Sequence, residues 1–461
     1  MKAKIITLMV GLLSFFPAMA QYNPSVFFSD HLGSVAGRMQ PYKIGKGMNH
    51  FEYGLFIDTR LHNSALTFGD LQPFFDSDKE VDRATVDNII AANRNDINFG
   101  LSAIPAIFSF KIGKDGEEFL SMAISTGVHA GTTFGYSNRI AKVILEGNRQ
   151  YANQNVNISR FNLNSILYND FTVGAAFRAI DLSGIKIRPG VNFKYLVGHA
   201  AAQTDAFSLS MFTEQNGRYI DFRGRYEVNT AYPDIDGTDD LLPLLLERYV
   251  GNGAEGRGFG LDLGVEVEIT DRINAGISVA NIGGINFNQN TTNYLGRSDY
   301  RFRGFDMDIV SVAENRTIEI DSDSLLQILN PEETNEDFSY RLPTTIILQG
   351  SIGLGRSIDG KKGNTRYRHN AHLLYMQGFR NSAFNSSTPF VSLGYGLNLG
   401  QTFNFTTNVG FGGYKPVSLG TYIGMSPSIF KFGFGTNMLL SYVNIEDAYG
   451  ADVFVNFGIV F

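Results

Sequence analysis

Residues 451–461 read A-D-V-F-V-N-F-G-I-V-F, and this stretch decides the fold. Its alternate residues form two sets. One set is wholly apolar and consists of Val453, Val455, Phe457, Ile459 and Phe461. The other set contains Asp452, Asn456 and Gly458 together with Phe454 and Val460. Successive side chains of a strand point to opposite faces, so the stretch predicts a strand with one apolar face and one face of mainly small or polar residues.

Residues 185–197, 259–269 and 391–399 repeat this alternation. A soluble β-sandwich would also alternate. Here the apolar face is Phe, Leu, Ile and Val, which suits lipid, and the polar face is rich in Gly, Ser, Asn and Thr, which suits a narrow or plugged lumen. No apolar run approaches the roughly 20 residues of a membrane-spanning helix. The sequence therefore predicts an all-β, transmembrane antiparallel β-barrel of about 14 strands, within a range of 12 to 16.

The beginning of the chain has the features of a secretory signal peptide. Lys2 and Lys4 precede an apolar run over residues 5–16, and Ala18-Met19-Ala20 matches a cleavage site. The predicted organisation is a signal peptide over residues 1–20, a separate N-terminal segment over residues 21–47, and the barrel over residues 48–461.

Three stretches interrupt the strand pattern. Residues 76–94, 238–250 and 321–335 combine early acidic residues with apolar residues at helical spacing. They predict short helices in long loops, where a gate or a recognition surface is expected.

Local motifs for chemistry are weak. His369 and His372 are three apart in a strand-like run, which places them on opposite faces and disfavours a shared metal. The acidic residues between Asp234 and Asp240 lack the spacing of a calcium loop. With no nucleophile or phosphate-loop motif and a net charge of −7, we expect no enzyme activity, no metal, no cofactor and no nucleic-acid binding.

Charged residues on the polar faces are more informative. The alternation places two sets inside the predicted lumen: Arg178, Lys186, Arg188 and Lys194, and Asp262, Glu266 and Glu268. Two interpretations remain open. The groups could form salt bridges across the lumen, which we favour because buried charges are usually paired, or they could polarise a pore and orient a solute.

Several motifs carry a family resemblance. Glu146-Gly147-Asn148, residues 195–200 and residues 258–264 resemble a family of Bacteroidota outer-membrane barrels of unknown function. The C-terminal alternation ending at Phe461 looks like the closing strand that the barrel-assembly machinery reads. The resemblance covers roughly residues 140–310 and the C-terminal strands, and it implies the cell outer membrane, with its lipid as the surroundings.

Asn23-Pro24-Ser25 is similar to the Asn-Pro-Ala of an N-terminal plug in the more distant fatty-acid-transporter superfamily. An ordinary Asn-Pro turn is the alternative. The resemblance implies a plug within the lumen and passage of a small hydrophobic solute across the outer membrane. The competing hypothesis is a structural or interaction barrel that anchors a surface or secretion protein.

Overall fold

The computed structural model describes residues 24–46, 51–64, 67–70, 87, 95–114, 117–139, 142–143, 147–159, 161–177, 180–233, 253–302, 332–359 and 365–460. Within them the strands are β1 (Phe51–Asn63), β2 (Asn95–Lys114), β3 (Glu117–Tyr136), β4 (Asn155–Asn157), β5 (Phe161–Phe177), β6 (Ile180–Leu182), β7 (Ile185–Thr213), β8 (Ile220–Ala231), β9 (Gly256–Thr270), β10 (Ile273–Phe287), β11 (Thr291–Phe302), β12 (Glu332–Thr334), β13 (Phe338–Arg341), β14 (Thr345–Asp359), β15 (Thr365–Gly378), β16 (Phe390–Leu399), β17 (Phe403–Gly412), β18 (Lys415–Met425), β19 (Phe430–Thr436) and β20 (Gly450–Val460). The α-helices whose bounds are described are α1 (Pro24–Phe28), α2 (Gly33–Ala36) and α3 (Leu439–Val443), with 3-10 turns at Asp30–Leu32, Pro41–Lys43 and Arg149–Tyr151.

Fourteen of the strands in the described residues close into a ring. In ring order these are β1, β2, β3, β5, β7, β9, β10 and then β14 to β20. Every neighbouring pair is antiparallel, and β20 returns to pair with β1, where Glu52 lies opposite Val460. The predicted all-β, 14-strand antiparallel barrel is confirmed.

The outer surface of the ring is apolar because the side chains of each strand alternate. On β20, Val453, Val455 and Phe457 are each more than 40% exposed, whereas Phe454 and Asn456 are buried. Large apolar side chains are likewise exposed on other ring strands, for example Leu393 on β16. A continuous apolar exterior on a closed barrel is the surface that lipid requires.

The two rims of the ring differ. Short turns join the strands at one rim, including the pair Asp271 and Arg272 between β9 and β10. The other rim, called here the long-loop rim, carries the long connections. Strand β7 is 29 residues long in all, and its part beyond Ala200 pairs with β8, which pairs with β11. The result is a sheet that extends beyond the ring.

The predicted loop helices lie mostly outside the described residues, which include only Asp87 of 76–94 and none of 238–250. In the third stretch, Glu332–Thr334 forms β12 and pairs with β11, so the helix prediction is wrong there. The part of this stretch with apolar residues at helical spacing, residues 325–329, lies outside the described residues, and Glu332–Thr334 has no such spacing. No helix in the described part of the chain is long and apolar enough to cross a membrane.

The wall of the ring is completed differently beside β19. This strand has seven residues and pairs with only the end of β18 nearest the short turns. Farther along, α3 lies between β18 and β20, and the Tyr442 hydroxyl donates a hydrogen bond to the Asp452 carbonyl at 2.7 Å. A helix therefore takes the place of half a strand in the wall.

Candidate functional site

Residues 24–46, called here the luminal segment, lie inside the ring. The segment is almost wholly buried, with Ser25, Phe27 and Tyr42 no more than 1% exposed. Helix α1 contacts β16, β17 and β18, α2 contacts β1 and β2, and the turn Pro41–Lys43 contacts β5, β7 and β9. Because these strands come from different sides of the ring, the luminal segment spans the interior.

Apolar contacts make up much of the interface between the luminal segment and the wall. The segment contributes Val26, Phe27, Phe28, Leu32, Ala36 and Met39. The wall contributes Phe56, Ile104, Ile107, Ile347, Leu374, Met376, Phe390, Tyr422 and Phe454. Barrel interiors are usually polar, so this apolar inner patch is an unusual feature of the lumen.

Polar side chains of the wall hold the first part of the luminal segment. Asn408 donates to the Ser25 hydroxyl at 2.9 Å, and the Ser29 hydroxyl donates to Asn404 at 2.7 Å. His31 Nδ1 lies 2.6 Å from the Tyr422 hydroxyl. Burial, assisted by nearby positive charges, lowers the pKa of His31 to about 3. The imidazole is therefore neutral at pH 7.

Charged groups hold the second part. Arg38 forms an ion pair with Asp170 on β5, and Lys46 forms one with Glu266 on β9. Arg188 donates to the backbone carbonyls of Tyr42 at 2.9 Å and Ile44 at 3.0 Å. Hydrogen bonds from charged donors are stronger than neutral ones, so these contacts anchor the segment where it enters from the short-turn rim.

Glycines on the inner face leave room for the luminal segment. A Cβ added to Gly190 would lie 2.4 Å from the backbone of Pro41 and Tyr42, and one added to Gly394 would lie 2.5 Å from the Phe28 ring. The Gly content of the predicted polar faces thus matches a close approach of this segment to the wall.

The predicted luminal charges fall into three groups. Arg178 lies outside the described residues. Lys186 and Glu268 are partly exposed near the short-turn rim and lie 3.9 Å apart. The buried residues are Arg188, Lys194, Asp262 and Glu266. Of these four, Arg188 and Glu266 contact the luminal segment, whereas Lys194 and Asp262 pair with each other.

Among the described residues, the predicted luminal charges do not form the salt bridges across the lumen that we favoured. Lys194 lies 2.8 Å from Asp262, on the strand beside it. Glu266 pairs instead with Lys46 of the luminal segment. Neighbouring strands bring charges within contact distance, and the segment fills the space that a pair across the lumen would have to span.

A second element closes the interior from the long-loop rim. Residues 379–389, called here the crossing loop, join β15 to β16, and Phe384 within it is only 5% exposed. The Phe384 ring meets His129 on β3 and Tyr168 on β5 edge-on, each at 6.4 Å between centroids. Because β15 and β16 stand nearly opposite β3 in the ring, the loop crosses the lumen.

The crossing loop is held on its own side of the ring as well. Asn385 donates to the Pro343 carbonyl and to the Thr345 hydroxyl, both at 2.8 Å. The Arg380 guanidinium lies 5.1 Å from the centre of the Tyr340 ring. The loop is therefore held at Arg380 and Asn385 on its own side of the ring and packed through Phe384 on the other.

Between the luminal segment and the wall remains a cavity of about 40 Å³. Val26, Arg38 and Met39 line it from the luminal segment, and His129 and Asp170 line it from the wall. This volume holds about one water molecule. In this conformation the lumen has no room there for an organic solute.

The other residues singled out in the sequence are placed as follows. Pro24 begins α1 and Ser25 contacts the wall, while Asn23 lies outside the described residues. Val453, Val455 and Phe457 face outward, Ile459 is half-buried and Phe461 lies outside the described residues.

The two histidines disfavoured as a metal site also differ in their surroundings. His372 stacks on Phe28 of the luminal segment at 5.0 Å, whereas His369 contacts Tyr395. Within the described residues, no three His, Asp or Glu side chains are grouped so as to hold a metal ion.

Sequence reasoning missed Arg38, Lys46, Asp170 and Phe384. The first three are partners in contacts between residues far apart in the chain, which local periodicity does not reveal. Phe454 was a usable signal, because an aromatic residue in the otherwise polar set of β20 indicates something apolar inside the barrel.

These features define a closed β-barrel whose interior is filled from both rims. A family model for a family of unknown function, DUF5723, matches residues 51–437, which run from β1 to just past β19. The chain belongs to this family. Among curated proteins, none matches the sequence.

Three solved structures illustrate the similarity to known barrels. The Ralstonia pickettii toluene transporter TbuX is 10% identical, with 96% of this chain and 94% of that chain covered and a TM-score of 0.41. The P. putida toluene transporter TodX is 7% identical, with 96% of each chain covered and a TM-score of 0.42. A Pseudomonas aeruginosa FadL homologue is 9% identical, with 91% and 92% covered and a TM-score of 0.38.

Proposed function

We propose that this protein is an outer-membrane barrel that gives small hydrophobic molecules gated passage across the outer membrane. The observation that carries the proposal is the apolar inner patch, formed by wall residues such as Phe56, Leu374 and Phe454. A pore for hydrophilic solutes has a polar, water-filled lumen instead of such a patch. The apolar exterior supports a membrane location, with the short turns toward the periplasm and the long loops outside.

The luminal segment serves as the plug in this proposal. Its apolar residues, including Phe27 and Phe28, occupy the patch that a hydrophobic solute would use. Passage therefore requires the segment to move, which exposes the patch. The charged contacts of Arg38 and Lys46 hold the closed state until then.

A disulfide lock tests this proposal, since the native chain has no cysteine. Ser29→Cys with Asn404→Cys joins the segment to β17 at a hydrogen-bonded pair. Uptake of the dye N-phenyl-1-naphthylamine by intact Gram-negative cells should stop on oxidation and return on reduction. Uptake that continues in the locked protein would contradict a plug that must move.

The matched control is Thr407→Cys with Thr421→Cys, which links two wall strands that are already paired. That disulfide should leave dye uptake unchanged. Cells with an empty vector give the background. Wild-type uptake equal to this background would overturn the proposal of passage itself.

A structural or interaction barrel is the second candidate, favoured by the sheet beyond the long-loop rim. One face of this sheet carries charged residues: Arg223 and Asp299 are exposed and lie 3.3 Å apart, and Arg301 lies 2.6 Å from the buried Asp221. Such a face fits a charged surface or secretion protein. Gentle detergent extraction and mass spectrometry should then identify a stoichiometric partner, lost in Arg223→Glu; a lone barrel would contradict this candidate.

A further inference from the structure

We infer that Phe384, at the tip of the crossing loop, is the side chain that sets the size of the solute admitted from the long-loop rim. The inference rests on the proposed function and concerns a different element from the luminal segment. Its basis is the position of this one ring between opposite walls of the lumen.

The first step is the contact on the far wall. The Phe384 ring meets His129 and Tyr168, which stack on each other at 4.8 Å. A Cβ added to Gly131 would lie 2.6 Å from the Phe384 ring. Only a residue without a side chain leaves room for the aromatic ring at this point, so the ring and the wall are closely fitted.

The second step is the position of the cavity. His129, Tyr168 and Asp170 line the small cavity, and Phe384 packs against the first two from the side of the crossing loop. Even with the luminal segment withdrawn, a solute coming from the long-loop rim would still meet this ring before reaching the apolar patch.

The third step concerns what surrounds the ring. Phe384 belongs to a buried apolar cluster that also includes Leu342, Tyr340 and Phe338. The Asn385 side-chain amide donates hydrogen bonds to the backbone carbonyls of Pro343 and Thr344, and these bonds fix the loop. Beside the small Ala383 methyl, the Phe384 ring is therefore the main obstacle at this contact, and shortening it enlarges the opening without releasing the loop.

The chain provides a matched control on the same loop. Phe379 has the same side chain but is 68% exposed and lies at the base of the loop. Phe384→Ala and Phe379→Ala thus remove the same atoms, one set from the lumen and one from the surface. Heat-modifiable migration on gels verifies that each variant folds, and Phe384→Leu replaces Phe384→Ala if the latter does not.

The uptake experiment compares two dyes in intact cells, N-phenyl-1-naphthylamine and the bulkier Nile red. Phe384→Ala should raise Nile red uptake at least threefold over wild type, with a smaller increase for N-phenyl-1-naphthylamine, and Phe379→Ala should change neither. If wild type exceeds the empty vector but Phe384→Ala matches wild type for both dyes, the inference is overturned and the proposed function stands.

A labelling experiment tests the obstacle without relying on transport. Ser102 lines the cavity and is 6% exposed, so Ser102→Cys provides a single thiol beyond the ring. A membrane-impermeant maleimide added outside intact cells should label it about tenfold faster in Phe384→Ala than in wild type or Phe379→Ala. Equal rates in all three would overturn the inference even if no dye passes any variant.

Discussion

Single buried charges in this barrel should have large effects on stability where each is neutralised by one opposite charge. Lys194 and Asp262 are 2.8 Å apart with side chains no more than 5% exposed, and Lys194 also donates to Asn281 at 2.7 Å. Removing one member leaves the other charged and without its counterion in a buried site. Breaking a buried pair in this way costs about 3–5 kcal/mol.

We therefore expect Asp262→Ala to lower the free energy of unfolding by about 3–5 kcal/mol, measured by urea titration in lipid vesicles. Asp262→Ala combined with Lys194→Met should recover part of the loss, because no charge is then left alone. Arg225→Ala breaks an exposed pair with Glu227 and should cost at most about 1 kcal/mol. Equal losses for Asp262→Ala and Arg225→Ala would contradict the role assigned to burial.

His31 makes the position of the luminal segment depend on pH. Its pKa is about 3 when buried and 6.5 when exposed to water. Between these values the withdrawn state binds a proton that the buried state does not, so burial of the segment weakens as the pH falls below about 6.5. Relative to pH 7, the equilibrium at pH 4 should shift about two-hundredfold toward withdrawal.

Amide hydrogen exchange of residues 24–46 at pH 7 and pH 4, corrected for intrinsic rates, measures this shift. Protection should fall at pH 4 in the wild type while the ring strands retain theirs. His31→Gln should show a smaller difference between the two pH values. Unchanged protection in the wild type would show that protonation of His31 is not linked to the segment.

The strands of the barrel can be predicted from the sequence, whereas the contacts inside the lumen cannot. The alternation of β20 is visible locally, because one face meets lipid and the other the interior, and the same holds for β9 and β16. The contents of the lumen follow from no local pattern. Ser25 and Asn408 are hydrogen-bonded although 383 positions apart. The sequence indicates that Arg188 points inward, but not that it donates to the backbone carbonyls of Tyr42 and Ile44.

The fit between the luminal segment and β7 is testable at one glycine. In Gly190→Ala the new methyl group would lie 2.4 Å from backbone atoms of Pro41 and Tyr42, which have little freedom to move aside. We expect loss of hydrogen-exchange protection over residues 41–46 and about 1–3 kcal/mol of destabilisation. Gly350→Ala, where a Cβ would meet nothing within 4 Å, is the control and should retain full protection.

The proposed membrane location requires the outer surface of the barrel to be apolar. Val455 is 41% exposed in the middle of β20 and faces outward. In a membrane, Val455→Arg should cost about 2–4 kcal/mol near the bilayer midplane. Folding titrations in vesicles measure this cost, and Gln215→Arg, in the exposed turn between β7 and β8, should cost almost nothing. Equal costs at both positions would argue against lipid around the ring.

The pairing of β1 with β20 imposes an order on biogenesis. Glu52 and Val460 become neighbours only when β20 has been delivered, so the ring stays an open sheet until then. Residues 24–46 precede β1 in the chain, so they have no closed barrel to pack into before β1 and β20 pair. The apolar residues within 24–46 must therefore be shielded, or packed against the incomplete wall, until β20 closes the ring.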